Sequence, residues 1–256
     1  MKTKIALTFD IEFDLPVIDD LLELLKKYNI RGTFFLLGRL VDKHPEIPTK
    51  ILSYGHEIGC HGYNHDPPYD KRSLTSVKMD VKKGTKILQQ VVEVTSFRSP
   101  YFRPHKKLVS ILESFDYCID SSVPTKRFDF FLGRTNNLQA LTAPRMPYLP
   151  SRNNIFKKGN SGLVEIPLTC VIFPLMGTTL RNLGLITFIC FINLARHIYN
   201  NIVVDLHLWE FVEGTQASYR HRRRRGKKLW IMFDRLLFHL KNNNYVLTPI
   251  SKLLNS

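Results

Sequence analysis

Acidic groups are scarce in this sequence, and long apolar runs are missing. Its 256 residues carry 22 Asp and Glu against 37 Lys and Arg, a formal net charge of +15. Cys60, Cys118, Cys170 and Cys190 lie far apart with no CxxC pair. That excludes a disulfide scaffold and a tetrathiolate zinc site, and it fits a reducing compartment. The roughly 18 uncharged residues that a membrane-crossing helix needs are not found. The most apolar segment, Leu183 to Leu194 (LGLITFICFINL), is bracketed by Arg181 and Arg196. It is expected to be a buried helix, with an interfacial segment as the other reading. The opening MKTKIALTFDIEFD lacks the apolar stretch and small-residue cleavage site of a secretory leader. A cytoplasmic location, peripheral at the inner membrane surface, is therefore expected.

What is present suits a folded chain. At 44% hydrophobic and 23% charged residues, disorder is excluded. Allowing about 150 residues per domain gives between one and two domains, yet α/β barrels of about 200–250 residues often form one. No internal repeat, low-complexity linker or boundary is visible. Positive charge concentrates in Arg220 to Lys228 (RHRRRRGKK), which holds seven basic residues. Such a run is a solvated loop or an anionic-lipid patch. Without aromatic interleaving or a recognition-helix pattern, specific nucleic-acid binding is not expected. The sequence is silent on oligomeric state.

Strand and helix signals alternate. Apolar strand patterns at 4–9, 33–37, 57–60 and 117–120, with a strand and loop around 97–104, are separated by helical stripes at 19–28, 45–53, 73–91 and 106–115. This βαβα rhythm implies parallel strands with crossover helices. It lapses over 121–162, a loop-rich stretch with four prolines, where substrate-selecting loops have no readable code. Strands resume at 163–167 and 202–208, followed by a helix at 229–240 and a strand at 245–248. The economical reading is a single barrel-like α/β domain.

In parallel α/β architectures functional groups collect at the C-terminal ends of strands. That rule selects Asp10, Glu12 and Asp14, then His61 and His65, Arg98, Asp120 and His207. His61 and His65 stand four apart, a spacing that can put two imidazoles on one face of a helical turn as in zinc sites. The intervening Gly62-Tyr63-Asn64 lacks the Glu of an HExxH metalloprotease, and the HxD/E pair of an Fe(II) oxygenase is absent. Alternation along a strand end turns Asp10 and Glu12 to one side and Ile11 away. Two such carboxylates can divide between holding a cation and serving as a base. Asp14, before Leu15-Pro16, reads as a turn or helix cap. Asp205 and Glu165 sit on strands and could support a site. His56, His105, His197 and His239 have no convergent partner and read as structural.

TFDIEFD, RGTFFLLG, GHEIGCHGYNH, FRSPYFRP, YCIDSSVP and IVVDLHLWEF, in that order, resemble the motifs of polysaccharide deacetylases with a NodB homology domain, carbohydrate esterase family 4. The motif-bearing core spans about residues 3–211, followed by the basic loop 220–228 and a C-terminal helix and strand over 229–256. The resemblance implies a distorted (β/α) barrel with one divalent metal, zinc foremost, with Co, Mn, Ni or Fe compatible. It implies a hydrolase that removes an N-acyl group, N-acetyl above all, from an amino sugar of a polysaccharide, glycan precursor or lipid-linked sugar. Cyclic-amide hydrolysis and a non-catalytic barrel binding glycan or anionic membrane are the alternatives. By the resemblance Asp10 is the general base, Arg98 orients it, His207 is the catalytic acid and Asp120 the acid of the fourth motif, which would raise the His207 pKa. His61 and His65 are metal ligands. The usual second Asp falls at Ile11, so Glu12 becomes the metal carboxylate, with Asp14 as the other candidate. Pro100, Tyr101 and Trp209 line the groove, the Tyr101 backbone N–H matching the oxyanion donor.

Overall fold

The computed structural model describes residues 3–13, 16–125, 138–213 and 224–254. Strand β1 (Lys4–Ile11) is buried along all but its first residue, which is what a near-continuous apolar run gives when both faces of a parallel sheet are covered. It pairs with β9 (Asn201–His207) from Lys4↔Asn201 to Asp10↔His207. On β2 (Thr33–Leu36) it pairs from Thr8↔Thr33 to Ile11↔Leu36. The sheet continues in parallel through β3 (Glu57–Cys60), β4 (Ser96–Phe97), β5 (Ile119–Asp120) and β8 (Val164–Glu165). The short β10 (Val246–Leu247) joins the first residues of β1. Among the described residues β8 and β9 share no ladder, so the curled sheet is an open barrel wall.

The crossovers follow the expected rhythm. Helix α1 (Ile18–Lys27) buries Leu21, Leu22 and Leu25 and exposes its charges. Helices α2 (Gly38–Lys43) and α3 (Glu46–Ser53) together link β2 to β3. Helix α4 (Leu74–Leu88) begins where the Ser73 hydroxyl accepts the Ser76 N–H at 3.2 Å, a side-chain N-cap. Helix α5 (Leu108–Glu113) precedes β5, and α6 (Gly177–Leu183), α7 (Leu185–Ala195) and α8 (Lys227–Asn242) complete the set.

Three expectations need correction. The stretch 121–162 is not all loop: β6 (Pro150–Ser151) and β7 (Asn154–Lys158) form a hairpin, with Gln139 and Arg152 anchoring it to its neighbours. Of the strand and loop expected over 97–104, only Phe97 is strand, because Pro100 opens a tight 3-10 turn with Tyr101 and Phe102 at positive φ. The apolar segment at 183–194 is only half buried, since α7 covers Phe188, Ile192 and Ala195 and leaves Ile186 and Leu194 exposed.

Candidate active site

The strand register sets the site. Asp10 faces His207 across β1 and β9, and Glu12 follows two residues on, turned the same way. The loop after β3 delivers His61 and His65. It is not the helical turn that the HxxxH spacing suggested: residues 61–65 are irregular, with Gly62 at φ +78. One donor atom each from Glu12, His61 and His65 falls within 4.8 Å of the others, and Asp10, Asp205 and His207 do the same beside them. His65 Nε2 stands 2.9 Å from Glu12 Oε1, and Asp10 Oδ2 lies 3.8 Å from His61 Nε2.

These groups fit a bound cation. His61 Nδ1 donates to the Arg98 carbonyl at 2.9 Å, which leaves the Nε2 lone pair facing the cluster. His61 Nε2 is buried with no hydrogen-bond partner, and His65 Nε2 is buried against the Glu12 carboxylate. Burial, opposed in part by the charge of Asp10, holds the His61 pKa down at about 4, so the ring is neutral, as a metal ligand must be. Burial pushes Glu12 upward, but its contact with His65 and the charges of His207, His65 and His61 prevail and lower it. Ile11 is wholly buried in the core and brings no ligand. Asp14, like residues 126–137 and 214–223, lies outside the described residues.

Arg98 is the hub beneath the cluster. Fully buried between the rings of Phe35 and Phe102, it donates from Nη1 to Asp10 Oδ1 at 3.0 Å and Asp205 Oδ1 at 2.6 Å. Nε and Nη2 bind the carbonyl and hydroxyl of Ser121. For Asp10, burial is outweighed by Arg98, His61 and His207, and the carboxyl is held below its usual range. Asp205 Oδ2 stands 3.4 Å from His207 Nδ1. Burial pulls His207 down, but the carboxylates of Asp205, Glu12, Asp10 and Glu210 prevail and raise it to about 9. The imidazole therefore carries a proton at neutral pH.

Asp120, expected to raise the His207 pKa, is placed elsewhere. It accepts from the Ser122 hydroxyl at 2.5 Å and pairs across β5 and β8 with Glu165. Burial lifts its pKa to about 6 and lifts Glu165 well above the usual carboxyl range. The acid beside His207 is Asp205. The Tyr101 ring packs tilted against His65, 4.0 Å between centroids, and its hydroxyl donates to Asp66, while Pro100 is buried in the turn. Trp209 lies 5.6 Å from His207, with the Arg225 guanidinium 4.7 Å from its ring. Arg225 is 7% exposed, so this residue of the basic run is docked, whereas Lys227 and Lys228 are exposed.

Asp80 was not singled out in the sequence, yet it fixes the histidine loop. Its carboxylate accepts the backbone N–H of Tyr63 at 2.8 Å and of Asn64 at 3.2 Å, the Tyr69 hydroxyl at 2.7 Å and Arg72 at 3.0 Å. One turn on, a Cβ at Gly84 would lie 2.7 Å from the Gly62 carbonyl, so the loop rests directly on α4.

Residues 1–119 match the family profile described as Polysaccharide deacetylase. The match covers 119 of the 256 residues. Inside it fall Asp10, Glu12, His61, His65, Arg98, Pro100 and Tyr101; Asp120, His207 and Trp209 lie beyond. Among curated proteins, a peptidoglycan-N-acetylglucosamine deacetylase of Bacillus cereus is 35% identical over 103 residues, covering 40% of this chain and 36% of that protein. The chain thus spans about a third of that relative's length. The deacetylase fold extends over the whole chain: the Bc1960 peptidoglycan N-acetylglucosamine deacetylase superposes with a TM-score of 0.63 at 18% identity, covering 100% of this chain and 89% of that one. A CE4 family pseudoenzyme from Bacillus anthracis gives a TM-score of 0.63 at 16% identity, covering 99% and 66%. At such identities the likeness is one of fold.

Proposed function

We propose that the protein is a metal-dependent hydrolase that removes an N-acyl group, N-acetyl foremost, from an amino sugar of a glycan, glycan precursor or lipid-linked sugar. One observation carries this reading. Asp10 Oδ2 and His207 Nε2, 3.9 Å apart, stand beside the Glu12, His61 and His65 cluster as an ionised carboxylate and a protonated imidazole. A base and an acid next to three candidate ligands is what amide hydrolysis needs, and a binding module has no use for it. The fold-level likeness to deacetylases and the naming of the Bacillus cereus relative support the acyl and sugar assignment.

Glu12, His61 and His65 would hold the cation, with zinc the first expectation and Co, Mn, Ni or Fe compatible. When bound, such an ion supplies Lewis-acid polarisation of the amide carbonyl and acidifies water. Asp10, ionised by Arg98, accepts the proton of the attacking water at Oδ2. The Tyr101 backbone N–H, set by its left-handed φ of 62, stabilises the oxyanion, a contribution typically of about 3–4 kcal/mol. His207 gives its Nε2 proton to the leaving nitrogen, and the products are a carboxylic acid and a free amine. Trp209 borders the sugar, and the buried Pro100 sets the turn that carries Tyr101.

The test is metal content of the purified chain and of His61→Ala/His65→Ala, with amine release from N-acetylglucosamine oligomers. Near one equivalent of metal, lost with activity in the double variant, is the expected result. Metal without amine release would redirect the search to lipid-linked or cyclic-amide substrates. A wild type that takes up no metal would overturn the hydrolase reading in favour of a glycan-binding barrel, the role in which Ile11 matters.

A further inference from the structure

Between Glu165 and Asp205 the sequence contains no acidic residue, and within that stretch lies α7, LITFICFINLA, uncharged throughout. A helix apolar all round belongs in a core or at a lipid boundary. Here only one side of it is buried. One side packs inward through Phe188, Ile192 and Ala195, while Ile186 is 80% exposed, Leu194 45%, and Cys190 lies on the same outer side. Phe173, itself 40% exposed, sets its ring 6.2 Å from Phe191 of α7, and Ile172 beside it is 58% exposed. Cations bracket this surface. Arg224 donates to the Arg181 carbonyl at 3.2 Å and stands 3.2 Å from the Cβ position of Gly184, at the start of the helix. Arg196 is exposed at its end.

We propose that α7, with Ile172 and Phe173, docks on a bilayer surface carrying anionic lipid headgroups. Arg224 and Arg196 meet the headgroups, and Ile186, Cys190 and Leu194 reach the acyl boundary, a depth of roughly 5–10 Å. Among the described residues no helix is long and apolar enough to cross a membrane, so the contact is peripheral. A second copy of the chain is the poorer occupant, because +15 charges repel their like. One helical stripe also falls short of the roughly 800 Å² per partner of a stable interface. The inference does not depend on the proposed chemistry.

The test is co-sedimentation of the full chain with phosphatidylcholine vesicles, with and without phosphatidylglycerol. Thiol-reactive fluorescence at Cys190 is read alongside in a Cys118→Ser background, since Cys60 and Cys170 are buried. Binding to the anionic vesicles alone, weakened by salt, with a blue shift of the Cys190 probe, is expected. Ile186→Asp should lower the partition coefficient by about tenfold or more. Met79→Asp, at an exposed site on α4 (61%), should leave it unchanged. The proposal is overturned by equal binding of Ile186→Asp and wild type, by binding without a probe shift, or by no binding at all. It is also overturned if sedimentation velocity shows a dimer that Ile186→Asp dissociates.

Discussion

Asp205 touches the two halves of the site at once: its Oδ1 accepts from Arg98 Nη1 at 2.6 Å, and its Oδ2 lies 3.4 Å from His207 Nδ1. Because the same Nη1 serves Asp10, base and acid candidates share one buried guanidinium. Charge removed at Asp205 should therefore be felt by His207 first.

Asp205→Asn should lower the His207 pKa from about 9 by roughly one unit or more, since a carboxylate in contact is lost. Histidine ring NMR on the metal-free protein reads it directly, and an unmoved titration would assign the elevation to Glu12 and Asp10. The raised pKa also has a sign in stability. The contribution of His207 is fully present below its unfolded value near 6.5 and is lost as pH rises through about 9. In Asp205→Asn that alkaline loss should shrink.

Asp80→Asn tests the loop anchor. Its amide cannot accept on both sides, so the Tyr63 and Asn64 N–H groups and Arg72 lose part of their acceptor set. An outer-shell loss of this kind lowers metal affinity by about 10–100-fold. Competition against a chromophoric chelator measures it, with circular dichroism confirming that the fold is kept. Unchanged affinity would mean that β3 alone positions His61 and His65.

Much of this was legible because strand ends and motif spacing are local. β1, β3 and the α1 stripe stand within two residues of their expected bounds, and Asp10, Glu12, His61, Arg98 and His207 come together as strand-end logic implies. Partnership between strands was less legible. Asp120 and Asp205 look alike as acids on short apolar strands, and only the register that puts β9 against β1 and β5 against β8 tells them apart. Asp80 did leave a trace: it occupies the apolar stripe of α4 with Val77, Val81, Gly84 and Leu88, where an acid must have a buried partner. The short hairpin at 150–158 left none, because its pairing depends on contacts distant in sequence.

His56 gives the acid limit of stability a specific source. Its Nδ1 accepts the Gly32 N–H at 3.1 Å, its ring packs on Phe34, and burial followed by the charge of Arg31 lowers its pKa to about 4. The fold thus favours the neutral ring. That stability is complete above the unfolded value near 6.5 and declines as pH falls through about 4. His56→Gln keeps an acceptor for Gly32 but cannot be protonated. Between pH 7 and 4 its urea midpoint should fall less than that of wild type; parallel curves would place the acid sensitivity elsewhere.

Gly177 makes the last prediction, because it supports the His207 end of β9 through Glu210. A Cβ there would overlap Glu210 Oε2 and lie 2.6 Å from its Cδ. Glu210 cannot withdraw: Arg181 Nε donates to Oε1 at 2.8 Å and the His207 N–H to Oε2 at 3.1 Å, all three groups being buried or nearly so. Gly177→Ala should cost about 1–3 kcal/mol, or about 2–4 °C in Tm for each kcal/mol. It should also disturb His207 more than Asp10, because only the former shares a hydrogen bond with Glu210. Gly162→Ala, whose Cβ meets nothing closer than 3.8 Å, serves as the control. Equal Tm values for the two variants would mean that Glu210 and Arg181 shift together without strain, and that the His207 backbone is held by β1 alone.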